Sequence, residues 1–213
     1  MANLPQVEPE HYQRAGYDTR ERFISYWHQA DQVLRRAPAN VLEIGIGNGF
    51  LSRYLRDKGL SVHTLDFDAR LEPDTVGSVL ALPFATAEFD MACCFETLEH
   101  LPYDAFAPAL SELVRVARRW VLLSLPDATP YVRIDVETRD RKRWMRRLES
   151  LPNPRPAEHR FDGEHYWELG KRGYPVSRIT DAIAEAGLVL EESLRVFEMP
   201  YHHFLSCRVE SRA

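Results

Sequence analysis

The sequence predicts an α/β fold in which helices cover both faces of a mostly parallel sheet. From residue 40 onward, apolar runs of strand length alternate with stretches of helical spacing. Strands that are buried on both faces appear as continuous apolar runs, and "NVLEI", "FDMACCF" and "WVLLSLP" have this character. A short link joins the last two of seven predicted strands, so these two are expected to pair antiparallel, with the last strand running against the sheet.

Composition limits the class of protein. The 213 residues fit one domain, and the apolar share of 45% indicates a folded chain that is not disordered. No run approaches the roughly 18 apolar residues of a membrane span, and the N-terminus lacks the apolar core of a signal peptide. The net charge of −5 argues against a general nucleic-acid binder. Cys93 and Cys94 lie in an apolar run and are interpreted as buried, reduced thiols, so we expect a cytoplasmic protein.

We divide the single domain, residues 1–213, into four segments. Residues 1–39 form a helical lead-in whose helix carries Phe23, Ile24, Trp27, Ala30, Val33 and Leu34 on one face. Residues 40–126 contain the core with most of the strands, including a short one at 78–82. Residues 127–176 show little apolar periodicity and are too long for a simple connection, so we interpret them as an insertion over the active site. Residues 177–213 return to a helix and two strands.

A glycine-rich loop follows the first buried strand. In "NVLEIGIGNGFLSRYL", Glu43 precedes Gly45, Gly47 and Gly49. A dinucleotide-binding loop would carry glycine or alanine where Phe50 stands, so a nicotinamide enzyme is not favoured. A carboxylate before the turn would repel a pyrophosphate and attract an ammonium group, while the backbone N–H groups of the turn can bind a carboxylate. The amino-acid part of S-adenosylmethionine offers both groups.

This loop resembles motif I of the class I S-adenosylmethionine-dependent methyltransferases, and further segments match in order over about residues 38–126. The element "GSVLALPF", the strand start "FD" and the helix "EHL" resemble small-molecule members of the family. The resemblance implies a Rossmann-like three-layer sandwich and S-adenosylmethionine as cofactor. It places Asp66 on the ribose hydroxyls, Phe67 on the adenine, and Phe95 at the cofactor. Ser78 stands where the family often has aspartate on the adenine amino group, so adenine recognition is expected to use Ser78 or the backbone around Val79.

The segment "ETLEHL" follows the fourth strand, at the edge where ligands bind in this architecture. On a helix, Glu96, Glu99 and His100 would project from one face. Three interpretations remain open: helix capping and packing, a general base at His100, or a divalent-metal site. Glu-x-x-Glu-His resembles the ligand set of small-RNA 3′-terminal 2′-O-methyltransferases and of some ubiquinone-pathway O-methyltransferases, and His165 in "GEHYWELG" would supply a further ligand.

The sequence therefore predicts a methyltransferase that acts on a small-molecule acceptor, with a hydroxyl favoured as the methyl-accepting group. His100 and His165 are the catalytic candidates, and a divalent metal is possible but not favoured. Methylation of nitrogen, metal-assisted 2′-O-methylation and a non-catalytic adenosyl-binding module are the alternatives. The acceptor, the pathway and the oligomeric state are not encoded in any pattern that we recognise.

Overall fold

A computed structural model describes residues 8–14, 16–138 and 143–210. The parts of the predicted lead-in, insertion and C-terminal segment at 1–7, 15, 139–142 and 211–213 lie outside these ranges. The strands are β1 (Asn40–Ile44), β2 (Ser61–Asp66), β3 (Thr75–Val76), β4 (Phe89–Phe95), β5 (Ala117–Pro126), β6 (Tyr131–Glu137), β7 (Arg143–Ser150), β8 (Leu188–Arg195) and β9 (His202–Val209). The helices are α1 (Glu10–Gln13), α2 (Arg20–Leu34), α3 (Phe50–Asp57), α4 (Phe106–Val116) and α5 (Val176–Glu185).

Seven of these strands form one sheet, in the order β3-β2-β1-β4-β5-β9-β8. Strands β1 to β5 pair parallel, whereas β9 is antiparallel to both of its neighbours. The predicted seven-stranded sheet with an antiparallel last strand is therefore confirmed. Since β9 runs against the others, its first residues lie at the edge where the parallel strands end, and His202 pairs with Pro126.

Two apolar clusters hold the helices on the two faces of the sheet. Side chains of α4 and α5, such as Leu113 and Ile183, join one cluster, and side chains of α2 and α3, such as Val33 and Leu55, join the other. All seven residues of β4 are buried, which explains its continuous apolar sequence. Burial of each leucine or isoleucine contributes roughly 1.5–3 kcal/mol to stability. The three-layer arrangement predicted from the sequence is the one observed.

The predicted buried face of α2 is partly wrong. Phe23 and Trp27 are 49% and 62% exposed. The buried residues of this helix are Ser25, Tyr26, Gln29, Ala30, Gln32 and Val33. Polar side chains are tolerated there because they find partners on β9: Ser25 Oγ lies 2.7 Å from a ring nitrogen of His202, and Gln32 accepts a hydrogen bond from Ser206.

The strand expected at 78–82 is also displaced. The third strand is Thr75–Val76, whereas Ser78 and Ala81 close a turn with a 3.1 Å backbone hydrogen bond. Val79 and Leu82 are buried although they do not lie in a strand, because a short apolar pattern is compatible with a buried turn as well.

The insertion divides into a hairpin and a segment that returns to the sheet. Strands β6 and β7 pair only with each other, and every residue from Tyr131 to Glu137 is exposed. Further along, Trp167 is fully buried and donates a hydrogen bond to the carbonyl of Leu101. The second part of the predicted insertion therefore packs into the core at the edge of the sheet where the parallel strands end, whereas the hairpin contacts the link between β8 and β9 through Arg133. None of the helices in the described residues has both the length and the apolar character that a bilayer span requires.

Candidate functional site

A cavity of about 680 Å³ opens at the carboxyl edge of the sheet. It extends from the ends of β1, β2 and β4 to the start of β9, and it is bordered by α1, α2 and residues 164–166. Ligands of open α/β sheets bind at this edge, where loops leave the ends of parallel strands. Most of the residues that the sequence assigned to a site line this cavity. The exception is Gly49, at the N-terminus of α3, which is not in the lining.

The glycine loop has the backbone conformation that only glycine adopts without strain. Gly45, Gly47 and Gly49 have φ angles of +78°, +52° and +66°. A Cβ atom on Gly45 would lie 2.2 Å from Thr97 Oγ1, and one on Gly47 would lie 3.6 Å from the ring of Tyr12. The loop therefore presents bare backbone to the cavity, as a loop that contacts a ligand must.

We predict that Gly45→Ala lowers stability more than Gly59→Ala. Both positions have positive φ, at +78° and +86°, which costs an alanine about 1–2 kcal/mol. Only Gly45 adds a collision with Thr97, because nothing lies within 4 Å of a Cβ built on Gly59. Urea unfolding of the two variants measures the difference. The double variant Gly45→Ala/Thr97→Ala should recover part of it, and equal losses at both glycines would contradict the collision.

Glu43 is a buried carboxylate beneath this loop. Its Oε2 atom has no hydrogen-bond partner among the described residues, and burial raises the pKa of Glu43 to about 8. An unpartnered carboxylate oxygen in a buried position is costly unless a ligand supplies a donor. The arrangement therefore fits a ligand that brings a cationic amine to the cavity.

Asp66 ends β2 with its carboxylate fixed by two backbone groups. Its oxygens accept hydrogen bonds from Ile46 N at 2.9 Å and from Asp68 N at 3.0 Å. Each oxygen keeps a second lone pair, which suits a diol. Phe67 lines the cavity next to it and is 43% exposed, so its ring is free to pack on a planar ligand. Asp68, two residues further along the chain, is buried and forms an ion pair with Arg70.

Ser78, Val79 and Phe95 line the same cavity. The hydroxyl oxygen of Ser78 accepts a hydrogen bond from Leu80 N at 3.2 Å, so it is oriented by its own turn. Val79 and Phe95 are buried apolar contacts at the end of β3 and of β4. Together with Phe67 they give this end of the cavity an apolar wall.

The predicted helix at "ETLEHL" is wrong. A single 3₁₀ turn spans Leu98–His100, and Glu96 precedes it with φ at +46°. The three charged side chains are therefore not spaced along one helical face. Left-handed backbone at a residue other than glycine is strained, and such strain is concentrated at functional sites. Glu99 is 0% exposed, and neither of its carboxylate oxygens has a partner among the described residues.

His100 and His165 meet in the cavity with their ring centroids 5.0 Å apart. One nitrogen of each ring is already engaged: His100 Nδ1 lies 3.0 Å from the carbonyl of Glu164, and His165 Nδ1 lies 3.0 Å from Glu168 Oε1. Burial and then the neighbouring His165 lower the pKa of His100. Burial also lowers the pKa of His165, but the hydrogen bond and charge of Glu168 outweigh it and leave this pKa above its ordinary value.

Two groups of side chains could hold a metal ion among the described residues. Glu99, His100 and His165 offer ligand atoms within 4.8 Å of one another, and so do Asp162, His165 and Glu168. Glu96, which the sequence included with the first set, is not part of either group. Glu96 precedes the 3₁₀ turn, so its side chain does not share a helical face with Glu99 and His100 and is not placed with them.

Several lining residues escaped the sequence analysis. Ser25, Gln29, Tyr201 and His202 line the cavity, and Glu168 supports His165 from behind. His202 could have been found, because an antiparallel last strand must begin at the edge where the parallel strands end. Ser25 and Gln29 carried no signal, since they lie in the interior of an ordinary helix.

Comparison with known proteins finds similarity to methyltransferases. A methyltransferase domain model matches residues 42–123. A curated malonyl-[acyl-carrier protein] O-methyltransferase from Enterobacter lignolyticus is 32% identical over 103 residues, which are 42% of this chain and 40% of the relative. The chain thus matches less than half the length of this relative.

Solved structures share the fold over nearly the whole chain. The 1,6-didemethyltoxoflavin-N1-methyltransferase of Burkholderia thailandensis, with bound substrate and S-adenosylhomocysteine, has a TM-score of 0.58 at 17% identity, covering 98% of this chain and 93% of that one. Magnesium protoporphyrin IX methyltransferase from Synechocystis, also with bound SAH, has a TM-score of 0.62 at 13% identity, covering 94% and 92%. At these identities the likeness is one of fold. Residues 42–123, which contain most of the motifs identified in the sequence, therefore match a methyltransferase domain.

Proposed function

We propose that the protein transfers a methyl group from S-adenosylmethionine to a hydroxyl group of a small molecule. The observation that carries this proposal is His165, which lines the same cavity as the glycine loop and Asp66 and whose Nδ1 atom lies 3.0 Å from Glu168 Oε1. His165 can remove a proton from the methyl acceptor, and the glycine loop and Asp66 can hold the cofactor. The bound cofactor supplies a methyl group on a sulfonium, which reacts by in-line displacement with a nucleophile held in front of it.

The residues proposed to hold the cofactor fit its parts. Glu43 would accept a hydrogen bond from its ammonium group, and the backbone N–H of Gly47 would donate to its carboxylate. Gly45, whose N–H donates to the carbonyl of Leu65, would provide close backbone contact, and Gly49 would shape the turn. Asp66 would accept the ribose hydroxyls. The apolar end of the cavity, formed by Phe67, Val79 and Phe95 with Ser78 beside them, would enclose the adenine.

A hydroxyl acceptor explains why a histidine that is paired with a carboxylate lines the cavity. An alcohol or phenol must lose its proton to become a good nucleophile, and a positioned base contributes typically 10²–10⁴-fold to the rate. Since Glu168 holds Nδ1 of His165, the Nε2 nitrogen is left to take that proton. The pKa of His165 is raised, which strengthens it as a base. A neutral amine attacks with its own lone pair and needs this arrangement less.

The methyl acceptor for which the curated relative is named does not fit the charge of this cavity. The curated relative is named for a malonyl thioester, which carries a free carboxylate. The cavity lining described here contains Arg22 as its one arginine or lysine, against six acidic residues: Glu43, Asp66, Asp68, Glu96, Glu99 and Glu164. A negatively charged acceptor would meet repulsion at this site, so we do not propose a malonyl group.

A metal-assisted variant of the same reaction is the second candidate, because Glu99 and the two histidines converge. A divalent ion there would lower the pKa of the acceptor hydroxyl. In our favoured mechanism, treatment with EDTA leaves activity unchanged, since His165 removes the proton. Activity assays after chelation, with Mg²⁺, Mn²⁺ or Zn²⁺ added back, check this. A chelator-sensitive activity that one of these ions restores and that Glu99→Gln abolishes would favour the metal.

Incubation with methyl-labelled S-adenosylmethionine and a panel of small alcohols, phenols and amines tests the proposed function. Label transferred to an oxygen, identified by mass spectrometry, supports it, and label found only on nitrogen would support N-methylation instead. A protein that binds the cofactor and never turns it over would be an adenosyl-binding module.

A further inference from the structure

Glu99 is a buried acid of the cavity lining whose carboxylate has no hydrogen-bond partner among the described residues. It is 0% exposed, and both carboxylate oxygens lack a hydrogen-bond donor among the described residues. Its backbone is fixed, since its carbonyl accepts a hydrogen bond from Tyr166 N at 2.8 Å. A buried ionisable group without partners costs stability, so proteins rarely keep one unless a ligand uses it.

Glu96, which also lines the cavity, adds a third carboxylate oxygen without a partner. Its Oε1 atom has no partner, while Oε2 lies 3.7 Å from His202 Nε2. The backbone of Glu96 has a positive φ of +46°, a strained conformation for a residue other than glycine. The two glutamates therefore offer three unpartnered carboxylate oxygens beside the histidines.

We propose that Glu99 and Glu96 form a subsite for a protonated amine on the methyl acceptor, so that the substrate is an amino alcohol or a phenolic amine. This inference rests on the proposed function, because it names the class of molecule whose hydroxyl His165 would deprotonate. An ammonium group brings three N–H donors, which matches three unpartnered oxygens. It also brings the charge that an acid-rich lining attracts.

An ammonium ion fits these groups better than a metal ion. Glu96 is outside both groups of side chains that could share one ion, so a metal held by Glu99 and the histidines would leave Oε1 of Glu96 without a partner. An organic cation can donate hydrogen bonds to the unpartnered oxygens of both glutamates, because its N–H groups point in different directions.

Isothermal titration in the presence of saturating S-adenosylhomocysteine tests the subsite with two matched series. One series is tyramine, 4-ethylphenol and 4-hydroxyphenylacetate, and the other is 4-aminobutan-1-ol, butan-1-ol and 4-hydroxybutanoate. In at least one series we expect the amine to bind at least tenfold more tightly than the neutral compound, and the acid to bind more weakly than both.

The variants separate the subsite from general effects. Glu99→Gln and Glu96→Gln should each reduce the preference for the amine, whereas Glu158→Gln, which changes an exposed carboxylate outside the cavity lining, should leave it intact. Affinity for S-adenosylhomocysteine serves as the check on folding in every variant. Equal or tighter binding of the neutral compound or the acid in both series, no binding of either amine, or a preference unchanged in Glu99→Gln would overturn the subsite. A preference that appears only with added Mn²⁺ would overturn it in favour of a metal.

The same samples distinguish this inference from the proposed function. Transfer of label to the hydroxyl of a neutral compound, with no preference for its amine, would leave the function standing and remove the subsite. Tight binding of the amine without any transfer to oxygen would do the reverse.

Discussion

Replacing His165 by alanine is expected to lower kcat by about 10²- to 10⁴-fold, the contribution typical of a positioned general base. His165 lies in the cavity, and its Nδ1 atom is 3.0 Å from Glu168 Oε1. Affinity for the cofactor should change little, since the proposed cofactor contacts lie on β1, β2 and β4. Steady-state kinetics with an identified acceptor, together with titration of S-adenosylhomocysteine, measure both quantities. His28→Ala, a half-buried histidine of α2 outside the cavity lining, is the control.

The pH dependence supplies an independent test of the same assignment. A base must be neutral to act, so kcat/KM should rise with pH through the pKa of His165, above its ordinary 6.5, and fall away below it. Glu168→Gln removes the charge that raises this pKa and leaves burial, which lowers it. The inflection should therefore move to lower pH, and the maximal rate should fall because the base is weaker. An inflection that stays in place, or a larger loss in His100→Ala than in His165→Ala, would assign the base to another group.

The cofactor half of the site was predictable because its signals are local. A buried strand, a turn that needs positive φ and a helix follow one another within residues 40–57, so the sequence spacing reflects the geometry directly. The same holds for Asp66, which is placed by the end of its own strand. Adjacent parallel strands then bring these ends together without any long-range information beyond the fold.

The acceptor half depends on contacts between distant segments, which no local pattern records. The sequence brought His100 and His165 into one hypothesis, but not the backbone carbonyl of Glu164 or the carboxylate of Glu168 that orient them. Helical spacing misplaced Glu96, because a strained residue and a 3₁₀ turn replace the helix. The polar face of α2 was missed for a similar reason: Ser25 is satisfied by a histidine 177 residues later in the chain.

The second large effect is expected at Asp66, where alanine should weaken binding of S-adenosylhomocysteine by about 100-fold. Hydrogen bonds to a charged group contribute roughly 1.5–3 kcal/mol each, and losing both ribose contacts, at about 3 kcal/mol in total, gives that factor. Asp66 also accepts from Ile46 N and Asp68 N, so the alanine variant loses stability as well as affinity.

Two further variants separate the binding role of Asp66 from its structural one. Asp66→Asn keeps one acceptor oxygen for the backbone and removes the charge, so it should remain folded and bind with intermediate affinity. Asp74→Asn alters a carboxylate that supports β2 through Thr64, outside the cavity lining, and it should change stability without changing affinity. Titration calorimetry and urea unfolding of the three proteins give both quantities. If folded Asp66→Asn and Asp66→Ala bind with the dissociation constant of the unmodified protein, Asp66 does not hold the ribose, because a carboxylate that accepts its hydroxyls cannot be removed at no cost.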